Sequence, residues 1–327
     1  MEQVTFIIPA YNAAATIERT IESIAAQTVQ GASECFVFDD NSSDDTYKVL
    51  EGLQEQYSFL KIFRNETGKN RGPGANRNLG IEMVQTKYLS FIDADDLLEP
   101  DWVEKMIQTA EAEQLDLLVS GYQKITEDKQ VLSVHNVAKR KLETYTGSCW
   151  ARLYRTQFIM EENIRFATAY NTGEDMMFVI GASSKAARSK AIEYIGYNYL
   201  VDQASLSHKN TEKGIQDKVD NLIQVISDVH ASIRPDDDFG KGVIFNVMAF
   251  DIIMYSLNTP DEKQVEDCVQ KIMSALTHEF PEWKKKKRQM GFSWKLSLAV
   301  HFFELPLLHT FAKMITKSAK KKKEATA

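Results

Sequence analysis

The chain has 327 residues, 43% hydrophobic and 26% charged, the profile of an ordinary globular protein with core enough for one large or two medium domains. Cys35, Cys149 and Cys268 are odd in number and lack C-x-x-C spacing, which argues for reduced thiols and against a disulfide-stapled secreted fold. The net charge of −7 is unevenly spread: residues 284–327 carry +10 and the remaining 283 residues −17, so an acidic body excludes nucleic acid as the expected partner.

In chain order, "VTFII" (4–8) reads as a first strand, and the N-terminus has neither a basic flank nor an apolar run of signal-peptide length. Ile17, Ile21 and Ile24 mark an amphipathic helix. "ECFVF" (34–38) predicts a strand, with a helix behind it at Val49, Leu50 and Leu53. "FLKIF" (59–63), a glycine-rich turn, a helix over 75–84 and the strand "KYLSFI" (87–92) follow. Next come a helix opened by Pro100 and the strand "LDLLVSGY" (115–122). Strands alternating with helices predict βαβ units and a mostly parallel, Rossmann-like sheet flanked by helices. Helix-period segments dominate from about residue 212.

In open sheets of this kind ligands bind beyond the carboxyl ends of the strands. The residues following the strands are "PAYN" (9–12), "DDNSSDDT" (39–46), "NETGKNRGPGANRNLG" (65–80) and "DADD" (93–96). All are polar, charged or glycine-rich, so chemistry converges on one edge. Asp39 and Asp40 suit ribose hydroxyl or base N–H donors, while Asp44 suits a helix cap. Arg71 and Arg77 suit phosphate. Asp93, Asp95 and Asp96 cannot all be freely hydrated at a strand end. Either some are protonated, or they cap the following helix, or a cation lies between them. If the strand continues through Asp93, the two-residue period puts Asp93 and Asp95 on one side, a hard oxygen site for Mg²⁺ or Mn²⁺.

"FIIPAYN", "FVFDDNSSDDT", "GANRNLG", "FIDADD" and, further on, "GSCWARLYRTQFIMEENIRF" with "TGEDMMF" resemble the successive motifs of the inverting family 2 glycosyltransferases. The resemblance runs over about residues 1–210 and implies the GT-A fold. It implies that Pro9, Tyr11, Asn12 and Asp40 hold the uridine of a UDP-sugar, with Asp39, Asp93 and Ala94 nearby. Arg77 and Arg71 would lie along the donor. Asp95, with Asp93 and the loop residue His208, would bind Mn²⁺ or Mg²⁺. Asp175 would be the catalytic base and Glu174 the fallback, although Asp175 also reads as a helix cap. Asn41 stands where the family has glycine, and asparagine tolerates the left-handed conformation that the turn requires.

The expected domains are a GT-A catalytic domain at 1–210, a helical region at 211–283 and a basic amphipathic segment with tail at 284–327. That last segment, with Trp283 just before it, combines Phe292, Trp294, Phe302 and Phe303 with lysine clusters, but Lys295, His301, Glu304 and Pro306 interrupt it. An interfacial, anionic-membrane-seeking segment fits better than a transmembrane helix; a core helix and self-association into a homo-oligomer are the other readings. The expected activity is metal-dependent inverting transfer to a glycan or lipid-linked acceptor, on the cytoplasmic face of the membrane. The rivals are a nucleotide-sugar-forming nucleotidyltransferase and an inactive sugar-nucleotide-binding or membrane adaptor.

Overall fold

The computed structural model describes residues 3–29, 31–138, 148–169, 173–201, 223–228, 231–244, 262–286 and 290. Backbone contacts divide the chain into two compact units, Met1–Ser205 and Leu206–Ala327.

The first unit is a sheet with helices packed on it. Strands β1 (Val4–Ala10), β2 (Ser33–Asp39), β3 (Leu60–Arg64) and β4 (Tyr88–Phe91) form a parallel block in the order β3-β2-β1-β4. Helices α1 (Ile17–Ala25), α2 (Thr46–Gln56) and α3 (Pro73–Met83) connect them, the crossover arrangement that parallel pairing requires. Strands β1, β2 and β4 are buried almost throughout, as expected of a sheet covered on both faces, while β3, at the end of the block, buries only Leu60 fully. One core layer joins Phe6, Ile8, Ile17, Ile21 and Trp102, while the other joins Ile7, Phe91, Tyr154, Phe166 and Phe178. Alternate residues of β1 therefore serve opposite layers. Gly80 lets α3 approach the sheet, since a Cβ there would stand 2.5 Å from the Ile7 side chain.

Beyond β4 the sheet is mixed rather than mostly parallel. Strands β5 (Leu97–Leu98), β6 (Leu117–Ile125), β7 (Val131–His135), β8 (Arg152–Arg155) and β9 (Ser189–Leu200) extend the order to β4-β8-β6-β9-β5, with β7 on β6. Strand β8 runs antiparallel to both β4 and β6, whereas β9 is parallel to β6. Helices α4 (Trp102–Glu113), α5 (Thr156–Glu161) and α6 (Glu174–Lys185) complete the unit.

Among the described residues of the second unit, α7 (Glu262–Glu279) is the longest helix, and further helical turns lie at 223–228 and 238–244. Val269, Ile272 and Leu276 are buried on α7, a helical i, i+3, i+7 spacing. Among the described residues no helix is long and apolar enough to cross a membrane. His208 and all but a few residues of the 284–327 segment lie outside the described residues.

Candidate active site

The loops after β1, β2, β3 and β4 meet at the carboxyl edge of the parallel block. Asn12 and Asn41 take left-handed backbone conformations (φ 51° and 62°), so asparagine supplies the turn for which glycine is usual. The Asn12 amide donates to Ser42 Oγ at 2.9 Å, and its side-chain oxygen accepts from the Ser43 amide at 2.8 Å. These bonds lock the first two loops together. Tyr11 projects from between them, 49% exposed, and Pro9 sits partly buried behind it.

The two aspartates ending β2 have opposite roles. Asp40 is buried and its carboxylate accepts from Asn65 Nδ2 (2.8 Å), from the Arg71 amide (2.9 Å to either oxygen) and from the Gly72 amide (2.8 Å). It fixes the glycine-rich loop, with Gly72 at φ 84° opening α3. The protein's own donors thus engage both oxygens of Asp40, for which the resemblance implied a uridine role. Asp39 is only 1% exposed, yet neither carboxylate oxygen has a hydrogen-bond donor; Arg64 Nε stands 3.9 Å away. Buried polar groups are ordinarily bonded, and an orphaned carboxylate is costly. Asp39 therefore has room for an N–H or O–H that no side chain or amide among the described residues provides.

Arg77 departs from the implied place along the donor. It is 4% exposed, and its guanidinium bridges Asp93 Oδ1 (Nη2, 2.8 Å) and Asp175 Oδ1 (Nη1, 2.7 Å), with Glu174 at 3.9 Å. It lies over the Phe166 ring, 5.3 Å from guanidinium carbon to ring centroid, and Phe166 stacks on Phe178 at 4.0 Å. One buried cation thus holds together the strand-end turn and the start of α6. Arg71 uses only its amide in these bonds, and its side chain is exposed.

The acidic turn also differs from its strand-based expectation. Strand β4 ends at Phe91, and residues 94–95 form a turn, so a two-residue period does not align Asp93 with Asp95. Asp93 faces Arg77; burial and the Asp175 charge raise its pKa while Arg77 lowers it. Asp96 caps no helix. It is fully buried, accepts from Tyr197 Oη (2.6 Å) and the Leu200 amide (2.8 Å), and tethers the turn to β9. Burial, reinforced by the Asp93 and Asp95 charges, pushes its pKa well above the usual carboxylate range. Asp95 is partly exposed, and Ala94 accepts from Thr16 Oγ1 at 2.9 Å. Among the described residues, no set of three His, Cys, Asp or Glu side chains has metal-binding geometry. The donor chemistry nonetheless suits a hard divalent ion: carboxylate charge accumulates faster than Arg77 compensates it, and such ions complete their shells with phosphate oxygens or water.

Asp175 lies in the first turn of α6, whose N-cap is Gly173 (φ 91°), so it is not itself the cap. Its carboxylate is 28% exposed and anchored by Arg77, and its charge adds to the burial that holds the Cys149 thiol well above its usual pKa. Glu174 is less exposed at 13%, and burial followed by the neighbouring Asp175 charge raises its pKa. A raised carboxyl pKa means the folded state binds the proton more tightly than the unfolded one. Stability from Glu174 is then greatest at acid pH and falls as pH rises from the usual carboxylate range through the raised value. Glu174→Gln should therefore flatten the decline of unfolding free energy between pH 4 and pH 7, measured by urea titration; an unchanged pH slope would contradict this assignment.

Sequence reasoning missed the Arg77 bridge and the hold of Asn65 and Tyr197 on the two acidic loops. Only Tyr197 and Tyr199, spaced by two on one strand, carried a signal that could have been read.

A family model described as "Glycosyl transferase family 2" matches residues 5–178. The succinoglycan biosynthesis protein ExoO of Rhizobium meliloti is 28% identical over 222 residues, which cover 62% of this chain and 62% of that protein. The poly(ribitol-phosphate) beta-N-acetylglucosaminyltransferase TarP of Staphylococcus aureus is 27% identical over 225 residues, covering 65% and 67%. The chain thus spans less than two thirds of the length of ExoO. The crystal structure of S. aureus TarS 1–349 in complex with UDP-GlcNAc superposes with a TM-score of 0.76 at 17% identity, covering 98% of this chain and 92% of that one. That likeness shows the fold.

Proposed function

The chain belongs to glycosyl transferase family 2, and on that premise we propose that it moves a hexose or N-acetylhexosamine from a UDP-sugar to a hydroxyl of a cell-surface glycan, teichoic acid or lipid-linked precursor. The orphaned Asp39 carboxylate carries the donor half of this reading. It pairs in register with Ala10, directly before the exposed Tyr11, so a base resting on Tyr11 would bring a ring N–H to an acceptor that lacks a partner. Names among the relatives, TarP above all, support the acceptor class. The basic, aromatic-rich 284–327 segment supports assembly at the cytoplasmic face of an anionic membrane.

The residues divide the work by charge. Arg71 is available to the diphosphate, while Asp95, with Asp93, would hold Mn²⁺ or Mg²⁺. Such an ion acts as a Lewis acid toward the departing diphosphate. Asp175 accepts the proton of the attacking hydroxyl, because an alcohol is a poor nucleophile near neutral pH. A single displacement inverts the anomeric carbon. Glu174, whose pKa burial raises, is the fallback for the same role.

Calorimetric titration of UDP, with and without Mn²⁺, tests the reading. Binding should be Mn²⁺-dependent in the wild-type protein and lose that dependence in Asp95→Ala. An equal response of both proteins to Mn²⁺ would remove Asp95 as a metal ligand, and no UDP binding at all would remove the donor assignment.

A further inference from the structure

The segment that carries Asp93 and Asp95 lies between β4 and β5, outside any helix or strand, so its shape has to come from contacts with other parts of the unit. The Asp96 amide donates to the Asp93 carbonyl at 3.2 Å, which closes residues 93–96 into a β-turn with Ala94 and Asp95 at its centre. One bond of this kind leaves both flanks of the turn free to move.

A single atom holds both flanks. Tyr197 Oη donates to Asp96 Oδ2 at 2.6 Å and accepts from the Asp93 amide at 3.3 Å, which a hydroxyl can do because it is donor and acceptor at once. The other Asp96 oxygen accepts from the Leu200 amide at 2.8 Å. From the opposite side, Thr16 Oγ1 donates to the Ala94 carbonyl at 2.9 Å. The turn is thus fixed at Asp93, Ala94 and Asp96, and Asp95 takes its position from these neighbours. Arg77 holds the Asp93 side chain, whereas Tyr197 holds its backbone.

Tyr197 is itself held by packing. It is fully buried, its ring stacks on Trp150 (4.5 Å between centroids, 8° between planes), and β9 pairs it with Leu98 of β5 on one side and Tyr122 of β6 on the other. Because β5 begins directly after Asp96, the Leu98 pairing returns the hydroxyl to the turn. A tyrosine that served only to fill the core would be satisfied by Asp96 alone; the second bond, to the Asp93 amide, ties it to the shape of the acidic turn. We infer that Tyr197 is a positioning residue for the divalent ion: its hydroxyl sets the turn from which Asp93 and Asp95 would reach Mn²⁺ or Mg²⁺, and so the affinity for the ion, without entering its coordination shell. The inference rests on the metal-dependent glycosyl transfer proposed above.

Mn²⁺ titration of the full chain, followed by the electron paramagnetic resonance of the free ion and run with and without UDP, tests it. Tyr197→Phe keeps the ring on Trp150 and removes only the hydroxyl. Groups that orient metal ligands from behind typically govern affinity by about 10–100-fold, so this variant should weaken Mn²⁺ by that factor, keep metal-free UDP affinity within about twofold and keep kcat within about threefold at saturating Mn²⁺. Tyr194→Phe is the matched control: it removes another hydroxyl of β9, one that donates to Asp101, and should leave Mn²⁺ affinity unchanged. Wild-type Mn²⁺ affinity in Tyr197→Phe overturns the inference. An equal loss in Tyr194→Phe, or a parallel loss of metal-free UDP binding, also overturns it, since either means a general loosening of the unit. A wild-type protein that binds UDP but no Mn²⁺ overturns it and spares the donor site. Mn²⁺ binding that depends on Tyr197 in a protein that does not bind UDP upholds the positioning role and removes only the UDP-sugar reading.

Discussion

Asp175→Asn should lower kcat by about two to four powers of ten while leaving UDP affinity within about twofold, the signature of a lost general base. The substitution is nearly isosteric, and the new amide can keep its Oδ1 on Arg77 while Asp93 and Glu174 still face the guanidinium, so the nucleotide loops after β1 and β2 are left in place. What changes is proton acceptance. The wild-type carboxylate keeps one oxygen on Arg77 at 2.7 Å, and its partial exposure leaves it open to the cleft. An amide in that place orients an acceptor hydroxyl without removing its proton. Stopped-time UDP release under saturating donor and acceptor would measure the loss. Wild-type turnover in Asp175→Asn would transfer the base role to Glu174, and a Glu174→Gln variant would then show the defect instead.

The scaffold was legible in the sequence because its signals are local. Ile17, Ile21 and Ile24 do face the core from α1, and the four strands of the parallel block lie where the apolar runs put them. The edge rule found the right loops for the same reason: strand ends in a parallel block share one edge. The second half of the sheet was harder to read, because β8 has four residues and β5 two, too few for any period to show. Roles within the site were the least legible. Asp39 and Asp40 are adjacent and chemically identical, and only the loop that closes over one of them decides which is consumed and which is orphaned. Arg77 looked like a phosphate ligand because arginine in a glycine-rich stretch usually is. Its true partners lie 16 and 98 residues away, a separation that no motif expresses.

Arg77→Met should cost about 3–5 kcal/mol of unfolding free energy at neutral pH, the range for removing one partner of a buried ion pair, and should also abolish turnover. The side chain is buried and serves three carboxylates, so methionine can fill the volume over Phe166 but leaves the acidic turn and α6 repelling each other. The pH dependence separates charge from packing. Burial raises the Asp93 pKa and Arg77 lowers it, so loss of the guanidinium lifts the folded-state value further above its unfolded one. A carboxyl group raised in this way favours the folded state at acid pH and loses that contribution as pH rises through its folded value. The deficit of Arg77→Met relative to wild type should therefore be smaller at pH 5 than at pH 7.5, as read from urea unfolding at both. An equal deficit at the two pH values would assign the effect to packing on Phe166 alone. Arg77→Lys supplies the complementary test: a single ammonium keeps the charge but cannot bridge Asp93 and Asp175 in one plane as a guanidinium does. That variant should recover part of the stability while kcat stays depressed, because the base would have lost its orientation.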